Sequence, residues 1–274
     1  MPRKQVNGVE LFYEDTGGAG DVLVFHHGYT GSHDTWAPIV EMLRDRFRCV
    51  VMDCRGAGDS SHPDGGYNLE QYALDVVGMA DALGIGRFTF VGHSMGGGIG
   101  FRLGLDHADR LERLVLVAPV PSGGIQSPPE MREAARRLWH ARDAEELVRQ
   151  RLVGAARPEA NDDVVAKGRV DRALSVSVGH YEQSWESFAS LNVTERLGEL
   201  TTPTLMIAGA ADGLARPNLA DYLRLPNASL QVFNRVGHFV PTDVPEAMAE
   251  LLADFIANGV VTARTLADRI AVTP

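Results

Sequence analysis

Apolar positions recur along this chain at two periods, and stretches of the two kinds alternate. Val9-Glu10-Leu11-Phe12-Tyr13-Glu14 follows an Asn7-Gly8 turn and predicts an antiparallel edge strand. Val22-Leu23-Val24-Phe25-His26 and Cys49-Val50-Val51-Met52-Asp53 are apolar runs of strand length, as expected for strands covered on both faces. Phe88–Val91, Leu114–Val117, Thr204–Ala208 and Leu230–Phe233 read the same way. Between them, Leu69 to Leu83 places Leu69, Tyr72, Ala73, Val76, Met79, Ala80 and Leu83 on one helical stripe. Pro245 to Ala257 is a second helix, with Pro245 close to its start, where a missing N–H costs nothing. Strands alternating with amphipathic helices predict an α/β fold: a mostly parallel twisted sheet with helices on both faces.

One stretch breaks this rhythm. No strand pattern occurs from about Pro121 to Leu197. Pro121-Ser122-Gly123-Gly124 and Ser127-Pro128-Pro129 read as a hinge-like entry, and helices are expected over Glu130 to Leu138 and Ala144 to Leu152. The expected organisation is a core of residues 1–120 and 198–274, with 121–197 a helical cap inserted over the carboxyl edge of the sheet. The tail after Gly259 reads as a short terminal helix.

Composition narrows the partners. At 274 residues and 45% hydrophobic, the chain can bury one large core. A net charge of −10 argues against nucleic acid and anionic membrane surfaces. The first six residues have no apolar core of a signal peptide, and no apolar run is long enough to span a bilayer. Two cysteines, Cys49 and Cys54, make no disulfide framework, so the cytoplasm is the expected compartment. His26 and His27, adjacent on a strand, are expected on opposite faces, a poor arrangement for a shared metal. No metal or other cofactor is expected.

Candidate chemistry centres on Gly92-His93-Ser94-Met95-Gly96, set between a predicted strand and a Gly-rich helical stretch. A serine between two glycines at this spacing is a nucleophile elbow: the chain turns sharply and exposes the hydroxyl at the sheet edge. Serine needs a base, and the base needs an orienting acid. His238, in Val236-Gly237-His238 just beyond the strand 230–233, is the candidate base. Asp212, in Gly209-Ala210-Ala211-Asp212, is the acid at the preceding strand end. The segment Ala118-Pro119-Val120-Pro121-Ser122 after the earlier strand holds no acid. An oxyanion needs two preset N–H donors. Met95 N–H and Tyr29 N–H, the latter in His27-Gly28-Tyr29-Thr30-Gly31-Ser32, are the candidates. His93 is expected to point away from the nucleophile and be structural. Asp53–Ser60 lacks the third glycine of a dinucleotide loop and reads as structural, with Arg55 tying neighbouring segments together. Trp139, Tyr181, Trp185 and Phe188 are candidates for an apolar lid over the substrate.

Together these residues resemble the α/β-hydrolase superfamily over about residues 5 to 258. The markers are His27-Gly28, the Asp53–Ser60 loop, the Gly92–Gly96 elbow, the Gly209–Asp212 turn and Gly237-His238, with acid and base in the order Ser94, Asp212, His238. Within it the chain is similar to the serine esterase, enol-lactonase and cofactor-free haloperoxidase-like group. The resemblance implies hydrolysis of a small-molecule ester or lactone through an acyl-enzyme, with a bulky macrolactone such as zearalenone as one candidate. Carbon–carbon bond hydrolysis or pyruvate elimination on the same triad, and a hydrolase-fold ligand receptor, are the alternatives. Oligomeric state is not legible.

Overall fold

The computed structural model describes residues 2–272. Eight strands form one sheet: β1 (Arg3–Val6), β2 (Val9–Asp15), β3 (Val22–His26), β4 (Arg48–Met52), β5 (Phe88–His93), β6 (Leu111–Val117), β7 (Thr204–Gly209) and β8 (Ala228–Phe233). Their spatial order is β1-β2-β4-β3-β5-β6-β7-β8. The first two are antiparallel to their neighbours; all the others run parallel. The predicted edge strand β2 is therefore not the edge. The Asn7-Gly8 turn folds β1 back outside it, pairing Val6 with Val9.

Strand alternation builds two separate cores. Val24, Phe88, Phe90, Leu114, Leu116 and Met206 point to one face, where α2 (Leu69–Ala82) and α3 (Met95–Asp106) cover them. Leu23, Phe25, Val91, Val115, Leu205 and Ile207 point to the other, beneath α1 (Ala37–Leu43) and α10 (Pro245–Asn258). Apolar residues on both faces are what a parallel sheet with helical crossovers requires. Within the first core, Arg55 does tie segments together. Its guanidinium makes two 2.7 Å bonds to Asp75 on α2, and this pair is almost wholly buried.

Residues 118–203, between β6 and β7, contain no strand. They form α4 (Pro129–His140), α5 (Ala144–Val153), α6 (Asp163–Ser175), a π-helical turn (His180–Ser184) and α7 (Trp185–Ala189). Asp143 and Asp162 cap α5 and α6 by accepting amide protons from Glu146 and from Val164 and Val165. The segment is bonded to the core: the Ser122 amide and hydroxyl both donate to Asp221, and the Tyr72 hydroxyl meets His180 Nδ1 at 2.9 Å. After β7 come α8 (Ala215–Tyr222), α9 (Val240–Asp243) and α10, and α11 (Ala263–Val272) follows Gly259. Among the described residues no helix is long and apolar enough to cross a membrane.

Candidate active site

The site forms where the parallel strands end. Ser94 connects β5 to α3 with φ 56° and ψ −112°, a conformation that costs a non-glycine residue about 1–3 kcal/mol. It persists because its surroundings leave no alternative. A Cβ on Gly92 would lie 2.2 Å from the Gly96 carbonyl oxygen, and one on Gly96 would lie 2.6 Å from that of His26. The backbone can turn this tightly only with glycine at both positions.

His238 Nε2 lies 2.8 Å from Ser94 Oγ, and His238 Nδ1 lies 2.8 Å from Asp212 Oδ2. The three residues arrive from the ends of β5, β7 and β8, and their side chains make one continuous hydrogen-bonded chain. Asp212 Oδ1 also accepts the Leu214 amide proton at 3.0 Å. Burial would raise the Asp212 carboxyl, but the His238 bond and charge outweigh it and hold the group below the ordinary aspartate range. His93 donates from Nε2 to the His238 carbonyl at 2.8 Å. It points toward the base's loop and fixes that loop's path. Burial, reinforced by the nearby His238, pushes His93 down to about 3, so it stays neutral.

The loop after β3 passes directly over the serine. A Cβ on Gly28 would lie 3.0 Å from the Ser94 Cβ. His27 sets the curl of this loop: Nδ1 donates to the Gly28 carbonyl at 2.8 Å while Nε2 accepts the Cys54 amide proton at 3.2 Å. Those bonds require the neutral ring, and burial keeps it neutral by lowering its pKa. The expectation that His26 and His27 face opposite ways is wrong. β3 ends at His26, so strand alternation stops there, and the two rings stack with centroids 5.0 Å apart. Asp53 closes the same region, accepting from the His33 amide at 2.6 Å, His33 Nδ1 at 2.8 Å and the Asp59 amide at 2.8 Å. The Tyr29 amide has no hydrogen-bond partner among the described residues. Met95 is the first residue of α3, so its amide has no acceptor within the helix.

Ser94 and His238 open into a cavity of about 580 Å³, also lined by Tyr29, Val120, Trp185 and Phe188. Two of the four predicted lid aromatics, Trp185 and Phe188, therefore face it. Trp139 and Tyr181 do not line it. They stack on each other at 3.9 Å, and Trp139 Nε1 donates to the Ala173 carbonyl at 2.7 Å. That pairing is internal to the helical segment and leaves neither ring facing the cavity. The cavity residues not singled out from the sequence include three arginines: Arg151 on α5, and Arg169 and Arg172 on α6. Arg169 and Arg172 stand three apart on one helix face, but exposed arginines at that spacing are ordinary, so the pattern alone carries no signal.

Comparison with known proteins identifies the family to which the fold belongs. Residues 21–243 match the family model described as the alpha/beta hydrolase fold. The chain belongs to this family. Among α/β hydrolases it is 28% identical to an N-formylmaleamate deformylase of Pseudomonas putida, over 93% of this chain and 96% of that one. It is 30% identical to a putative carbamate hydrolase, RutD, of Caulobacter vibrioides, over 93% and 99%. The structure of Est816, described as an N-acyl homoserine lactone degrading enzyme, superposes with a TM-score of 0.79 at 29% identity, covering 93% of this chain and all of that one. The enol-lactonase of Burkholderia xenovorans superposes with a TM-score of 0.83 at 26% identity, over 94% and 100%.

Proposed function

We propose that this α/β hydrolase cleaves a carboxylic ester or lactone through an acyl-enzyme on Ser94. The observation that carries the reading is the pair of 2.8 Å contacts, Ser94 to His238 and His238 to Asp212, at the edge of a largely apolar cavity. Ser94 Oγ attacks the substrate carbonyl as His238 Nε2 takes its proton. Asp212 keeps the Nδ1 proton in place and balances the imidazolium charge. The Tyr29 and Met95 amides donate to the oxyanion; removing one such donor typically costs about 10²–10³ in rate. His238 then returns its proton to the leaving oxygen, and water repeats the sequence to release the acid.

In this reading residues 121–197 act as a cap, and Trp185 and Phe188 supply its apolar contact with the substrate. A cavity of this size accepts a ligand as bulky as a macrolactone. The relatives support carbonyl chemistry: a deformylase, a putative carbamate hydrolase, an N-acyl homoserine lactone degrading enzyme and an enol-lactonase. Turnover of a panel of short aryl esters and lactones tests the proposal. Hydrolysis of at least one member, abolished in Ser94→Ala, is expected. No turnover of any member, or full activity in Ser94→Ala, would overturn it.

A further inference from the structure

We propose that Arg151 forms an anion subsite in the cavity and binds a carboxylate carried by the substrate. The three cavity arginines spend their donors differently. Arg172 pairs with Asp34, which also lines the cavity. Arg169 donates to Asn161 Oδ1 at 2.5 Å and to the Thr242 hydroxyl. Arg151 has no hydrogen-bond or ion-pair partner among the described residues, though it is partly buried and lines the cavity. Its contact is with a ring face: the Phe239 ring has the Arg151 guanidinium carbon 5.1 Å from its centroid and that of Arg169 at 4.4 Å.

The charges around Phe239 set the kind of ligand. Two guanidinium groups share Phe239, and the acid acting on them is Asp243, through Arg169. Asp243 is itself engaged, accepting from Asn161 Nδ2 at 2.9 Å and from the Gly237 amide at 3.3 Å. One positive charge is left over. Burial and the neighbouring Arg169 charge push Arg151 down to about 10, so it remains protonated at neutral pH. An unpaired charge removed from water is costly, and a chain with a net charge of −10 does not acquire one by surplus of basic residues. A single leftover charge on a planar fork fits a carboxylate, which it can bind through two parallel N–H bonds. Phe239 follows His238 directly, so the carboxylate would sit on the base's side of the cavity, close to the reacting carbonyl.

This deepens the esterase reading, and direct binding separates the two ideas. In a Ser94→Ala background, calorimetry would compare monomethyl glutarate, an anion, with methyl pentanoate, its neutral counterpart of equal chain length. The anion should bind about 10- to 100-fold tighter, the range expected for hydrogen bonds to a charged group. Arg151→Gln should erase that preference and Arg151→Lys should restore part of it. Arg151 makes no hydrogen bond that the substitution would remove, and a melting temperature no lower than that of the parent checks the fold. With Ser94 present, Arg151→Gln should lower the preference for p-nitrophenyl hydrogen glutarate over p-nitrophenyl pentanoate in kcat/KM by the same factor. Equal binding of the two ligands, binding of neither, or a preference indifferent to Arg151→Gln would overturn the subsite. Tight anion binding with no turnover of either aryl ester would overturn the esterase reading and leave the subsite standing.

Discussion

Asp212→Asn is the substitution whose consequence the geometry specifies most closely. The two carboxylate oxygens have different jobs: Oδ1 accepts the Leu214 amide proton at 3.0 Å and Oδ2 faces His238 Nδ1 at 2.8 Å. An asparagine that keeps the Leu214 bond must put its oxygen there and turn its NH₂ toward Nδ1. Nδ1 then accepts, the ring proton moves to Nε2, and Nε2 can no longer take the proton of Ser94. Flipping the amide restores the working tautomer but strands the Leu214 amide against an NH₂ group, at about 1–3 kcal/mol. Either way the imidazolium loses the negative charge beside it. Asp212 is nearly buried, at 5% side-chain exposure, so that loss is poorly screened.

The two losses together are worth about 5 kcal/mol, close to 10⁴ in kcat. Asp243 cannot substitute, because its oxygens are held by Asn161 and Gly237. Steady-state hydrolysis of a reactive aryl ester by wild type and Asp212→Asn measures the effect, with circular dichroism to verify the fold. KM should change little. A loss in kcat of less than tenfold would refute the assignment of Asp212 as the residue that orients His238.

Two further predictions concern stability. Burial disfavours the charged form of His33, but hydrogen bonds to Asp34 and Asp53 outweigh it and raise its pKa to about 10. The stabilisation is fully present below the unfolded value near 6.5 and lost as pH rises through about 10. The urea midpoint of wild type should therefore fall between pH 7 and 10 more than that of His33→Asn; parallel curves would refute this. Trp139→Ala should destabilise by about 3–5 kcal/mol, lowering Tm by about 10 °C, because it removes a buried stacked ring and its bond to Ala173. Trp185→Ala, which trims the cavity wall, should instead raise KM for bulky esters with a smaller loss in Tm; the opposite pattern of effects would contradict the two placements.

Much of the fold was legible because strand-length apolar runs and one helical period report burial directly. The parallel strands β3 to β8 and helices α2 and α10 lie within a few residues of their predicted bounds. β1 was missed because Arg3-Lys4-Gln5-Val6 has a single apolar residue, and its pairing with β2 depends on the Asn7-Gly8 turn. The convergence of Ser94, Asp212 and His238 could be anticipated because each follows a strand that ends at the same edge. The cavity walls could not. Trp139 and Trp185 look alike as aromatics in a helical stretch, and which one faces the cavity depends on how α4 packs on α6 and the π-helical turn. Arg151 was invisible for a related reason: an arginine becomes informative only when its neighbours, read in three dimensions, fail to pair with it.

The central claim is that Ser94 carries the acyl group, and covalent labelling addresses it most directly. The protein would be treated with a fluorophosphonate, and the site and stoichiometry of the adduct read by mass spectrometry of the intact chain and its peptides. The expected result is one adduct per chain on Ser94, with loss of aryl-ester turnover in proportion to labelling and no adduct in Ser94→Ala. Labelling at another residue, or an unlabelled Ser94 in a chain that still hydrolyses the ester, would contradict the account.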